Sequence, residues 1–138
     1  TAQGASTNRA FGIRQTSSTG YDPGSAFVVL LDNTTGKSNF QLNFQLQSLD
    51  PTSTRTTTWV VDYGFGDTPS SFTPITNTTP AVLTTSTTFG GANVTVNFGS
   101  TLNNQNQKVW IRIVTLAATT GAGNRPSSAI DDFQLTWN

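Results

Sequence analysis

Residues 39–49 alternate Phe40, Leu42, Phe44 and Leu46 with Gln41, Asn43, Gln45 and Gln47. Successive side chains of an extended strand point to opposite faces, so this order sets a row of apolar groups against a row of amides. A helix would scatter both rows around its circumference. The segment therefore specifies a half-buried strand, with one face on a core and the other in water.

The same reading recurs along the chain. Residues 26–31, 57–65, 92–98, 108–116 and 130–137 have strand character, and 10–15 and 80–84 have it more weakly. That makes about eight strands. No stretch holds a helical period beyond a turn or two, so helices are not expected. The breaks carry turn chemistry: Asp22-Pro23-Gly24, Asp32-Asn33 up to Gly36, Asp50-Pro51, Gly66-Asp67-Thr68-Pro69, Gly90-Gly91, Asn103-Asn104 and residues 121–128. The Thr-rich residues 73–88 read as long loops around a short edge strand. With no helical crossover to connect parallel strands, the expectation is an all-β, antiparallel, two-sheet sandwich wound as a jelly roll. At 138 residues, one module over 1–138 suffices.

Composition narrows the function. Thr, Ser, Asn and Gln make up 59 of the 138 residues, while seven Lys and Arg balance seven Asp. A neutral chain exerts no long-range pull on phosphates or anionic lipids, which argues against nucleic-acid partners. The longest apolar run, residues 26–31, is too short to cross a bilayer, so no membrane insertion is expected. His, Cys, Glu and Met are all absent. The usual general base, thiol chemistry and soft-metal sites go with them. A chain without Met reads as a piece of a longer parent protein with further domains, and low charge without Cys is compatible with secretion.

Alternation also sorts the candidate binding residues. If Val109, Ile111 and Ile113 form a core row, Trp110 and Arg112 turn outward. An outward indole is either covered by a loop or free to stack on the apolar face of a sugar ring. Asn43, Gln45 and Gln47 offer uncharged donors and acceptors for hydroxyls, or simply keep a sheet face soluble. In residues 57–65, Trp59, Val61, Tyr63 and Phe65 are the expected inner row. Asp62 then shares the outer face with Arg112 if the two strands are neighbours, as a surface ion pair or a polar anchor for a ligand. Tyr21 and Asp67 lie in loops that could extend such a site.

Catalysis is not expected. A glycosidase needs two carboxylates facing one cleft, and Asp131-Asp132 would point to opposite faces of a strand. Ser and Thr lack a His base, and no G-x-S-x-G motif occurs. Gly64-Phe65-Gly66 and Gly121-Ala122-Gly123 lack the helix of a phosphate cradle and read as bulges or turns. Asp131, following a Gly/Asn/Ser loop, could ligate a hard cation such as calcium, or cap the loop, or pair with Arg125 or Arg9.

Asn8-Arg9-Ala10-Phe11-Gly12, Val109-Trp110-Ile111-Arg112 and Ala129-Ile130-Asp131-Asp132-Phe133-Gln134-Leu135 resemble, in order, jelly-roll modules of secreted multidomain bacterial proteins. Such modules accompany polysaccharide-degrading enzymes, extracellular nucleases and cell-surface adhesins, and many related jelly rolls are carbohydrate-binding modules. The resemblance implies a secreted or cell-surface bacterial location and non-catalytic binding of a neutral polysaccharide such as a β-glucan. It also implies a structural calcium held by Asp131, although the early acidic partner of several such families is missing, since no Asp precedes Asp22. A structural or adhesive sandwich of a cell-surface protein is the alternative.

Overall fold

The computed structural model describes residues 7, 9–14, 25–50, 52–86, 88–115, 120–123 and 125–138. They form ten strands and no helix: β1 (Phe11–Ile13), β2 (Ala26–Leu31), β3 (Gln41–Ser48), β4 (Thr57–Phe65), β5 (Thr73–Pro74), β6 (Thr78–Thr79), β7 (Leu83–Thr85), β8 (Gly90–Asn97), β9 (Val109–Val114) and β10 (Ser128–Thr136). The first sheet runs β1-β10-β3-β8-β6 and the second β2-β9-β4-β5, with β7 also on β4. All pairings are antiparallel. The chain passes between sheets from β1 through β4 and again from β8 to β10, the winding of a jelly-roll sandwich with no closed barrel.

The inner rows follow the alternation. Phe40, Leu42, Phe44 and Leu46 are at most 3% exposed, and they meet Trp59, Val61, Val109, Ile111 and Ile113 from the second sheet in one core. Burying such side chains is the main favourable term in folding, roughly 1.5–3 kcal/mol for each. Tyr63 and Phe65 are only half-buried, and their rings meet edge-on at 5.3 Å.

Three features depart from the sequence reading. Residues 73–88 hold three short strands, not one, because β5 and β7 share the edge of β4 while β6 crosses to β8. The weak strand at 80–84 is realised as β7, shifted by a residue at its end. In β10 the alternation slips: Asp131 faces Gln45 but Gln134 faces Asn43, so Asp132 and Phe133 together oppose Phe44. This is a β-bulge, and Asp132 turns it with a φ of 49°. The predicted ends at Gln15 and Leu116 lie outside the described residues.

One end of the sandwich is closed by interlocked turns. Thr34, fully buried, donates its hydroxyl to Leu102 O at 2.5 Å and accepts from Gln105 N at 2.9 Å. Asn103 and Asn104 accept from the amides of Asn39 and Gly36, both at 3.0 Å. Leu102, inside a loop between Asn97 and Val109, is thereby carried into the core with no exposed surface.

Candidate functional site

The residues singled out from sequence fall on two opposite faces of the sandwich. Trp110, Arg112 and Asp62 lie on the outer face of the second sheet, and Asn43, Gln45, Gln47 and Asp131 belong to strands of the first. No single groove holds both sets. Tyr21 is outside the described residues.

On the second sheet, β4 and β9 are neighbours and Asp62 stands directly opposite Arg112. The carboxylate is not on the surface, and the Arg112 side chain is 22% exposed. Asp62 is fully buried and receives Arg112 Nε on Oδ1 at 2.9 Å and Nη2 on Oδ2 at 2.6 Å. The cover comes from the loop after β4. The Phe72 ring lies 3.4 Å from the guanidinium carbon, and a Cβ on Gly64 would meet Pro69 Cβ at 2.9 Å. Gly64 thus lets the loop fold back onto the sheet. Trp110 is half-buried and donates its indole N–H to Gly66 O at 2.9 Å. Lys108 and Asp67, 2.8 Å apart, flank that turn; each stabilises the other's charge, raising the Lys108 pKa and lowering that of Asp67. Arg112 and Asp62 are therefore structural partners under a loop, and the polar edge of Trp110 is already used by the chain.

The first sheet presents the other arrangement. Gln41, Asn43, Gln45 and Gln47 are half-buried along β3. Gln47 donates to Gln45 Oε1 at 3.0 Å, Asn43 donates to Gln41 Oε1 at 3.4 Å, and Thr95 donates its hydroxyl to Asn43 Oδ1 at 2.9 Å. The register sets Asn93 beside Gln45 and Thr95 beside Asn43 on one flank. Gln134 stands beside Asn43 and Asp131 beside Gln45 on the other. Gly91 faces Gln47, where a Cβ would press on Gln47 Cγ at 3.0 Å, so the glycine leaves room for the amide stem. The result is a grid of donors and acceptors, neutral apart from Asp131 on one flank, spaced about 4.8 Å across strands and roughly 6.8 Å along them. Thr136 stands beside Gln41, so Trp137, 45% exposed, turns to the opposite face, with its ring 5.8 Å from the core residue Phe40 and Lys37 Nζ 5.9 Å from its centroid. Sequence reading found the β3 row but not Asn93, Thr95 or Gln134. The period-two pattern of β8 held the first two, whereas the bulge in β10 hid which residues after Asp131 face outward.

Asp131 accepts from Gln47 Nε2 at 3.4 Å and from the Asp132 amide at 2.9 Å. Among the described residues no three acidic side chains gather. Calcium requires six to eight oxygens, and one carboxylate already facing two donors does not fit that need by itself. Residues 1–6 and 8 lie outside the described set. Among the described residues no helix is long and apolar enough to cross a membrane.

No family model matches the chain, and neither a curated protein nor a solved structure does.

Proposed function

We propose that the domain is a non-catalytic carbohydrate-binding module of a secreted or cell-surface bacterial protein, and that it holds a neutral polysaccharide on the outer face of the β10-β3-β8 sheet. The observation that carries this reading is the amide grid. Its side chains are half-buried and held in place by one another, so little rotamer freedom is left to lose on binding. Each terminal amide offers both donor and acceptor capacity to sugar hydroxyls. The chain contains no His, and Asp62 is engaged by Arg112, which supports binding without hydrolysis.

The test is affinity electrophoresis and calorimetry against soluble β-glucan, xylan and mannan, followed by a glycan array. The reading expects binding that changes little with salt, since the amide contacts are neutral. It expects a loss of at least about tenfold in the Asn43→Ala/Gln45→Ala double variant, the equivalent of about 1.4 kcal/mol, and unchanged binding in Trp110→Ala. Absence of binding to every glycan would favour the structural or adhesive role. Loss confined to Trp110→Ala would move the site to the other sheet.

A further inference from the structure

Strand β2 forms one edge of the second sheet, and among the described residues it pairs with β9 alone. Its sequence, Ala26-Phe27-Val28-Val29-Leu30-Leu31, is six apolar residues with no charge and no proline. Proteins ordinarily blunt such an edge with charges, proline or a bulge, because its unpaired backbone groups are a template for another strand. Among the described residues nothing blunts it, and Val28 and Leu30 are 50% and 43% exposed.

The hydrogen-bond register identifies which backbone groups face outward. Gly66 N donates to Lys108 O, so the pairs Gly64–Trp110, Asp62–Arg112 and Val60–Val114, in step with it, turn the even residues of β9 toward β4. Its odd residues turn toward β2, as Thr115 N donating to Ser25 O shows. Phe27, Val29 and Leu31 therefore spend their amides and carbonyls on β9. Ala26, Val28 and Leu30 present theirs to the outside.

These outward groups are spaced symmetrically about Val28. We propose that two copies of this chain pair antiparallel through β2 about a two-fold axis at Val28, joining their second sheets into one continuous sheet. Val28 then exchanges both backbone hydrogen bonds with Val28 of the second copy, and Ala26 pairs with Leu30 in both directions. The same rotation sets Val28 against its own copy on the outer face and Leu30 against Ala26. A second copy offers the same outward spacing by symmetry, and its neutral apolar side chains bring no charge into the seam. The zero net charge raises no overall repulsion between copies. Beside this edge, Phe11, Phe27, Val28, Val29, Ile130 and Phe133 line a cleft of about 150 Å³, and Phe11 is 70% exposed. Association along β2 brings the two clefts together and removes apolar surface from water.

Sedimentation velocity of the intact chain across the micromolar range tests the proposal, with the expected species a dimer. Val28→Lys and Leu30→Lys should each give a monomer with an unchanged far-ultraviolet circular dichroism spectrum. Should a lysine variant misfold, Val28→Pro serves instead, since it removes only an outward amide and leaves the β9 ladder intact. The register is read by cross-linking, because the chain has no cysteine. Val28→Cys should oxidise to a covalent dimer, its Cα atoms being about 5.5 Å apart in a hydrogen-bonded pair. Leu30→Cys should not, since the two Leu30 positions lie roughly 13 Å apart along the strands. A monomer at all concentrations, a dimer indifferent to all three edge substitutions, or equal cross-linking at both positions overturns the proposal.

Discussion

Arg112 grips the fully buried carboxylate of Asp62 through two parallel hydrogen bonds, 2.9 and 2.6 Å long, across the β4–β9 boundary. Breaking a buried pair by removing one partner leaves the other charge uncompensated, at a cost of about 3–5 kcal/mol. Asp62→Asn should therefore lower the stability measured by urea unfolding by about that amount. The Asp62→Leu/Arg112→Met double variant should recover most of the loss, because no charge remains buried.

The loop that covers this pair depends on Gly64. A methyl group there would approach Pro69 Cβ to 2.9 Å and Phe72 to 3.0 Å. Gly64→Ala should force the loop outward and cost about 1–3 kcal/mol, the usual range for overpacking. A thermal melt equal to that of the unsubstituted protein would show that the loop yields without strain.

The β3 alternation makes a paired prediction. Phe44 is 2% exposed in the core, whereas Gln45 belongs to the outer grid. Phe44→Ala should cost about 3–5 kcal/mol by leaving a cavity. Gln45→Ala should cost about 1 kcal/mol or less, the value of one partly exposed hydrogen bond. Chemical denaturation of both variants compares the two faces directly.

The bulge in β10 rests on Asp132 at a φ of 49°, a conformation that Asp tolerates and β-branched residues resist. Asp132→Val should destabilise by about 1–2 kcal/mol and Asp132→Gly by less. Equal losses would place the cost in the side chain and not in the backbone.

Stability should fall on the acid side of the Asp range. The Thr52 hydroxyl, 2.6 Å from Asp50, heads the interactions that lower the Asp50 pKa below 3.8, and Lys108 lowers that of Asp67. A lowered carboxyl adds stability above its ordinary value and loses it as pH falls through the lower folded value. The Lys108 contribution has the opposite sign: it is present below 10.5 and lost as pH rises past its elevated value. With no His in the chain, melting temperatures should be nearly flat from about pH 5 to 8 and drop below about pH 4.

Much of the architecture was legible because strand alternation is a local property. The inner and outer rows of β3, the outward turn of Trp110 and Arg112, and the sandwich class all follow from a period of two read over a few residues. Where that period was interrupted, the reading lost its place, as at Asp132 and Phe133 in β10. Leu102 was invisible for a related reason: it sits among Asn and Thr in a turn, and only the hydrogen bonds from Thr34 and its neighbours carry it inward.

Local sequence is enough to say which side chains share a face wherever a strand runs without a bulge, because Cβ direction there alternates residue by residue. Only the tertiary structure decided which sheet each strand joins, and so it separated the amides of β3 from Trp110 on β9. It also decided that Asp62 is buried and that Arg112 lies between it and Phe72, since loop cover and strand order depend on contacts between residues far apart in the chain.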